Sequence, residues 1–146
     1  MSTVNNWQAW ESEVAERLNG KPVKYSGRMT GFKGDVKTKN FICDCKYTQS
    51  NKYALTGDMW YKVSTWALNE NKSPMMAICI DGDELSKLIV VSAYTMTEEI
   101  SASKTRKSYT VTKKSVGECI EIVHNSWSDK VVVYDMEDFL SWNNFE

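Results

Sequence analysis

Between Val4 and Leu18 the apolar side chains recur at helical spacing. At roughly 100° per residue, Val4, Trp7, Trp10, Val14 and Leu18 fall on one face. The pattern predicts a helix over residues 3–18, capped by Ser2 or Thr3, with Gly20 just past its end. One residue breaks the pattern. Glu11 falls inside the apolar stripe, close to Trp7, Val14 and Leu18, whereas Glu13 and Glu16 point well away from it. A carboxylate on a buried helix face is costly unless something pairs with it.

Beyond the helix the period shortens. Val23–Tyr25 reads as a short strand and Ser26–Gly34 as a polar, glycine-containing loop. Gly34–Thr38 and Phe41–Tyr47 read as two strands joined by a tight turn at Lys39–Asn40. Residues 56–72 predict a second helix, with Thr56 as cap, Asp58 in the first turn and Met59, Trp60, Val63, Trp66 and Ala67 on its apolar face. The runs MMAICI (75–80) and LIVVSAY (88–94) are continuously apolar, which suits strands covered on both faces. Further strands are expected at 109–112, 119–124 and 130–134, then a closing helix from Asp135. This order of elements predicts an α/β fold with a mixed central sheet flanked by helices.

A strand sends alternate side chains to opposite faces, and this resolves the stretch FICDCKY. Ile42, Asp44 and Lys46 share one face, while Phe41, Cys43, Cys45 and Tyr47 share the other. The C-x-C pair lacks a second ligand pair at any usual spacing, and His124, the single histidine, stands in an apolar-alternating segment. The cysteines therefore read as small core-facing residues. With one histidine, a Ser–His or Cys–His nucleophile is not expected. On the other face, Asp44 stands beside Asp35 of the preceding strand. Two carboxylates converging from paired strands suit a hard divalent cation such as Mg²⁺ or Mn²⁺. Lys46 stays on that face, within reach of a water or a phosphate oxygen. The set has the parts needed for phosphodiester hydrolysis. The plainer alternative is a surface Asp–Lys pair with nothing bound.

Composition adds a possible partner. The 146 residues suit one domain. They carry a formal net charge of −1, but their charge is uneven. Residues 21–52 hold eight basic side chains against Asp35 and Asp44, and residues 104–114 hold five with no acid. Overall neutrality therefore does not exclude a polyanion. The start MSTVNNWQAW lacks a basic segment followed by an apolar run, and no apolar stretch nears the ~18 residues of a membrane helix. Neither a leader nor a membrane partner is expected. Reduced thiols are expected for the same reason.

The order of a helical Glu in WESEVAERL, then SGRMTGFKGD, then FICDCKYTQS resembles the PD-(D/E)xK nuclease superfamily. Its spacing is most similar to the small archaeal-type Holliday junction resolvases and their phage counterparts. The resemblance spans about residues 7–81, leaving residues 82–146 as further strands and a helix of the same single domain, 1–146. It implies a restriction-endonuclease-like core with Glu11, Asp35, Asp44 and Lys46 as catalytic residues. Mg²⁺ or Mn²⁺ would be held by Glu11, Asp35, Asp44 and the backbone carbonyl of Cys45. It implies paired cuts in branched DNA, a four-way junction, made by a homodimer in the cytoplasm, that of a bacterial host cell if the chain is phage-encoded. Ser26, Arg28 and Lys33 in the loop, with Lys104, Arg106 and Lys107 further on, are the expected DNA contacts. Trp7, Trp10, Trp60 and Trp66, at helical core spacing, read as core, with Trp60 and Trp66 as alternative candidates for a dimer interface. Gly34 stands where the superfamily has proline, and Asp44 where glutamate is commoner; glycine still allows the turn and aspartate is still an oxygen ligand. Two alternatives keep part of this account: another nuclease of the same superfamily, exonuclease or restriction-like, or a catalytically silent nucleic-acid-binding module.

Overall fold

The long apolar runs of the middle third become the centre of a mixed sheet. The structure, a computed structural model, describes residues 6–22, 35–95 and 104–143. Helix α1 (Asn6–Arg17) is followed by β1 (Lys21–Pro22), β2 (Val36–Lys37), β3 (Phe41–Thr48), β4 (Tyr53–Thr56) and α2 (Gly57–Asn69). Then come β5 (Ser73–Asp81), β6 (Leu85–Ser92), β7 (Lys104–Arg106), β8 (Ser108–Val111), β9 (Cys119–His124), β10 (Trp127–Asp135) and α3 (Met136–Asn143). Among the described residues the main sheet runs β1-β2-β3-β5-β6-β10-β9-β7, and β4 pairs with β8 in a separate ribbon. The pair β3–β5 is parallel, with Cys45 opposite Ala77, and α2 makes the crossover that a parallel pair requires. A helix-flanked mixed sheet is thus the fold class expected from the order of elements.

Alternation along β5 splits the core in two. Met75, Ala77 and Cys79 face α1 and α3, in a cluster with Trp10, Val14, Leu18, Cys43 and Phe139. Met76, Ile78 and Ile80 face α2 and the β4–β8 ribbon, packing with Trp60, Val63, Leu55 and Val111. Trp10 is 3% exposed and its indole N–H donates to the Ala77 carbonyl at 3.1 Å, which pins α1 at the level of Cys45. Ion pairs Glu13–Lys87 and Arg17–Glu137, each 2.6 Å, tie the same helix to β6 and α3. Thr56 caps α2 by accepting from the Met59 N–H at 3.2 Å, as its sequence position predicts.

Several expectations change. Trp7 is 48% exposed, because it lies on the first turn of α1 while burial begins a turn later at Trp10. Trp60, on the apolar face expected of α2, is fully buried in the core and donates its indole N–H to Asp129 at 2.9 Å, which removes it as a dimer-interface candidate. The strand at Val23–Tyr25, the loop Ser26–Gly34 and the caps Ser2 and Thr3 lie outside the described residues; the strand that follows α1 is Lys21–Pro22. No described helix is long and apolar enough to cross a membrane.

The contrast between the two tryptophans is measurable. Trp60→Ala should lower the unfolding free energy by ~3–5 kcal/mol in urea titration, since it opens a cavity and removes one of the donors to Asp129. Trp7→Ala should change it by less than about 0.5 kcal/mol.

Candidate active site

The site forms where a short strand ends. Among the described residues, β2 pairs with β3 at Val36–Cys43 and Lys37–Ile42. Asp35, the residue before β2, donates its backbone N–H to the carbonyl of Cys43, the residue Val36 pairs with, at 3.0 Å. Two residues, Asp35 and Val36, thus face Cys43, the pattern of a β-bulge, which re-aims a side chain at a strand edge. The Asp35 side chain then reaches along the edge of β3, where its Oδ2 accepts from the Cys45 N–H at 2.8 Å. The N–H and C=O of one strand residue project to the same side, so the Cys45 carbonyl is directed toward this edge as well.

Two more groups meet Asp35 there. Asp44 comes from the α2 side of the sheet and is 9% exposed. Lys46, two residues on and half-buried, places Nζ 3.3 Å from Asp44 Oδ2. Glu11 comes from the opposite side, on α1, and touches Asp35 around the edge of β3. Its position inside the apolar stripe is explained: half-buried, it points toward the carboxylate pair. The four residues proposed from sequence therefore come together.

Their titration reflects crowding. Burial, then the neighbouring Asp35, pushes the Glu11 carboxyl up from 4.5 to about 7, against the pull of Lys46. Burial and a hydrogen bond with Asp35 push Asp44 up from 3.8 to about 7, again opposed by Lys46. Burial pulls the Lys46 ammonium down, but Asp44, Tyr53 and Asp35 outweigh it and its pKa rises. Lys46 is thus a fixed cation among carboxyl groups that share protons.

The cysteines on the other face are inert. Cys43 is buried in the α1 core, and the hydrogen bond with Cys43 together with burial holds the Cys45 thiol well above its usual range. All four cysteines are free.

Among the described residues, no group of three or more His, Cys, Asp and Glu side chains closes around one cation position. The donor chemistry nevertheless fits a hard cation. Asp35, Asp44 and the Cys45 carbonyl offer oxygen atoms on one edge, with Glu11 beside them. A small oxygen set matches Mg²⁺, which keeps several waters and takes few protein ligands. Asp35 is turned to the Cys45 N–H and Asp44 to Lys46, so both carboxylates have other partners in the present arrangement.

The proposed DNA contacts do not gather there. Lys104 and Arg106 are exposed on β7, the outermost strand, five strand spacings or ~24 Å from β3. Lys107 is exposed beside them, and its carbonyl accepts from Gly57 N–H at 2.8 Å at the start of α2. Ser26, Arg28 and Lys33 lie outside the described residues. His124 stacks on Tyr61 with ring centres 4.9 Å apart and lies 3.9 Å from Asp58, both on α2.

Tyr53 was not anticipated. It opens β4, half-buried, and burial raises its pKa, with Lys46 opposing and Asp44 adding to the rise. It therefore walls the Asp44–Lys46 side of the site. The alternation in YALT was its only signal, hidden by the adjacent helix cap.

No family model and no curated protein matches this chain. Among solved structures the fold is similar to that of Hjc, a Holliday junction resolvase from the archaeal hyperthermophile Archaeoglobus fulgidus, with a TM-score of 0.50 and 10% identity. The match covers 73% of this chain and 88% of that one. At this identity the likeness concerns the fold, and the side chains carry the rest of the argument.

The raised carboxyls make stability depend on pH. Folded Glu11 and Asp44 titrate near 7, above their unfolded values, so the native state binds more protons between about pH 4 and 7. Their contribution is full below pH 4 and is lost as pH rises through 7. In chelator, the melting temperature should fall between pH 5 and 8. Asp44→Asn should flatten that slope and stabilise the metal-free protein at pH 8 by ~1–3 kcal/mol. A variant that is less stable at pH 8 would contradict the crowding.

Proposed function

We propose that this chain is a metal-dependent, structure-selective DNA endonuclease of the Holliday junction resolvase type, making paired phosphodiester cuts in four-way junctions. The observation that carries this is the meeting of Glu11, Asp35, Asp44 and Lys46 at one strand edge, on a fold similar to that of a resolvase.

Asp35, Asp44 and the Cys45 carbonyl hold Mg²⁺ or Mn²⁺, with Glu11 completing the set. The cation supplies acidification of the attacking water and neutralisation of charge building on phosphorus. The chain's own groups do the remaining work. Lys46, kept charged by Asp44, orients the scissile phosphate and stabilises the extra charge of the transition state. Glu11, beside Asp35, orients the attacking water, whose proton passes to solvent. The water oxygen bonds to phosphorus, one P–O bond to sugar breaks, and the leaving oxygen collects a proton. Two symmetric cuts need two such sites, which a two-fold homodimer provides.

The test is a cleavage assay with Mg²⁺ on a four-way junction, a linear duplex and a single strand. Paired symmetric nicks on the junction alone are expected. Cutting of linear duplex with no junction preference would point to an exonuclease or restriction-like enzyme instead. Binding without cutting would mean a silent DNA-binding module. Asp44→Asn should lower cleavage by about 10³-fold while junction affinity stays within a few-fold.

A further inference from the structure

Past Lys46, on the same face of the sheet, lies a cavity of about 400 Å³. Its floor is Ile80, 2% exposed, which pairs with Thr48 at the carboxyl end of β3. Lys46 pairs with Ile78. The floor is thus two residues, or ~7 Å, beyond the Asp44–Lys46 pair, which is about two nucleotide rises. The cavity opens at the carboxyl ends of the parallel strands β3 and β5, where open α/β sheets place their ligands.

The lining is built from three separate segments. Asn51 follows β3, Glu84 lies in the β5–β6 turn and Ser86 at the start of β6, and Lys113 and Lys114 stand on a single 3₁₀ turn, Lys113–Ser115. That turn is anchored: Thr112 and Ser115 cap each other's backbone, so the two ammonium groups project from a fixed base. Asp83 also lines the cavity, but Asn51 clamps it, donating to its carboxylate at 3.0 Å and accepting its N–H at 2.7 Å. Gly82 makes this possible, because a Cβ there would meet Asn51 Oδ1 at 2.0 Å.

The two lysines differ in one respect. Lys113 forms an ion pair with Glu84 across the mouth, and both side chains are about half exposed. Lys114 is exposed, and its ammonium has no ion-pair partner among the described residues. An exposed ion pair contributes ~0–1 kcal/mol, so an arriving phosphate can take Lys113 from Glu84 at little cost. We infer that this cavity is a phosphate subsite for the nucleic-acid strand next to the scissile position. Lys114 is its standing contact, Ser86 a hydroxyl donor, and Lys113 is released from Glu84 on binding. This rests on the nuclease reading only in making DNA the source of the phosphate.

Junction affinity of the full chain, measured by fluorescence anisotropy in chelator over a salt series, tests it. Lys114→Ala should weaken binding by about 3–10-fold and reduce the slope of log K against log salt by about 1. Glu84→Gln should tighten binding several-fold, and that gain should vanish in the Lys113→Ala background. Unchanged affinity in Lys114→Ala, or a Glu84→Gln gain that survives without Lys113, would overturn the inference while leaving the nuclease reading intact. Tripolyphosphate separates the opposite case. Should the wild type bind no DNA, yet be stabilised by tripolyphosphate in thermal melts through Lys114, the anion subsite stands and the nuclease reading falls. Binding of neither probe would overturn both.

Discussion

Carboxyl groups packed against one another at a half-buried strand edge cannot all be ionised at neutral pH without a compensating positive charge. Asp35 sits between Glu11 and Asp44, and both neighbours are pushed to about 7. One lysine offsets part of this charge and leaves the rest. Much of the surrounding structure serves to hold that unfavourable grouping in place. Trp10 fixes α1 against β5 at the level of the site. The Glu13–Lys87 and Arg17–Glu137 pairs keep the helix from sliding or rolling. The parallel β3–β5 pairing, buried on both faces, supplies a floor too rigid to let Asp44 swing away. In the proposed function, a bound cation would relieve this stored like charge and restore the stability it costs.

The place of Asp35 at the edge of β3 matters as much as the charges. A longer partner strand would cover the edge of β3 and occupy the Cys45 N–H. Because the described pairing stops at Cys43, Asp35 can take that N–H with its side chain and meet groups from both faces of the sheet. Glu11 and Asp44 belong to opposite layers, so only an edge can unite them.

Much of this could be read in the chain. Strict alternation in FICDCKY separated the inert thiols from Asp44 and Lys46, because a period of two leaves no freedom once one face is buried. Glu11 announced itself as a charge in an apolar stripe. The capped helix at Thr56 and the two long apolar strands were equally plain. What escaped depends on tertiary context. The strands β4 and β7 are too short to carry a period, and Tyr53 gains its importance from packing beside Lys46. The stripe containing Trp7 continued past the point where the sheet covers the helix. Basic residues 104–114 formed one cluster in sequence, yet the fold divides them: Lys104 and Arg106 lie on the distant edge strand, while Lys113 and Lys114 line a cavity near the site. Proximity along a chain does not give proximity across a sheet.

Direct cation binding tests the central claim, that the three carboxyl groups form a site for a divalent ion. Calorimetric titration of the full chain with Mn²⁺ in buffers of different ionisation enthalpy measures both affinity and proton release. Near pH 6.5, where Glu11 and Asp44 are partly protonated, binding should expel protons, and the release should fade by about pH 8.5. Asp35→Asn should abolish the binding. Mn²⁺ heats that are absent, or that are indifferent to pH and to Asp35, would contradict the account.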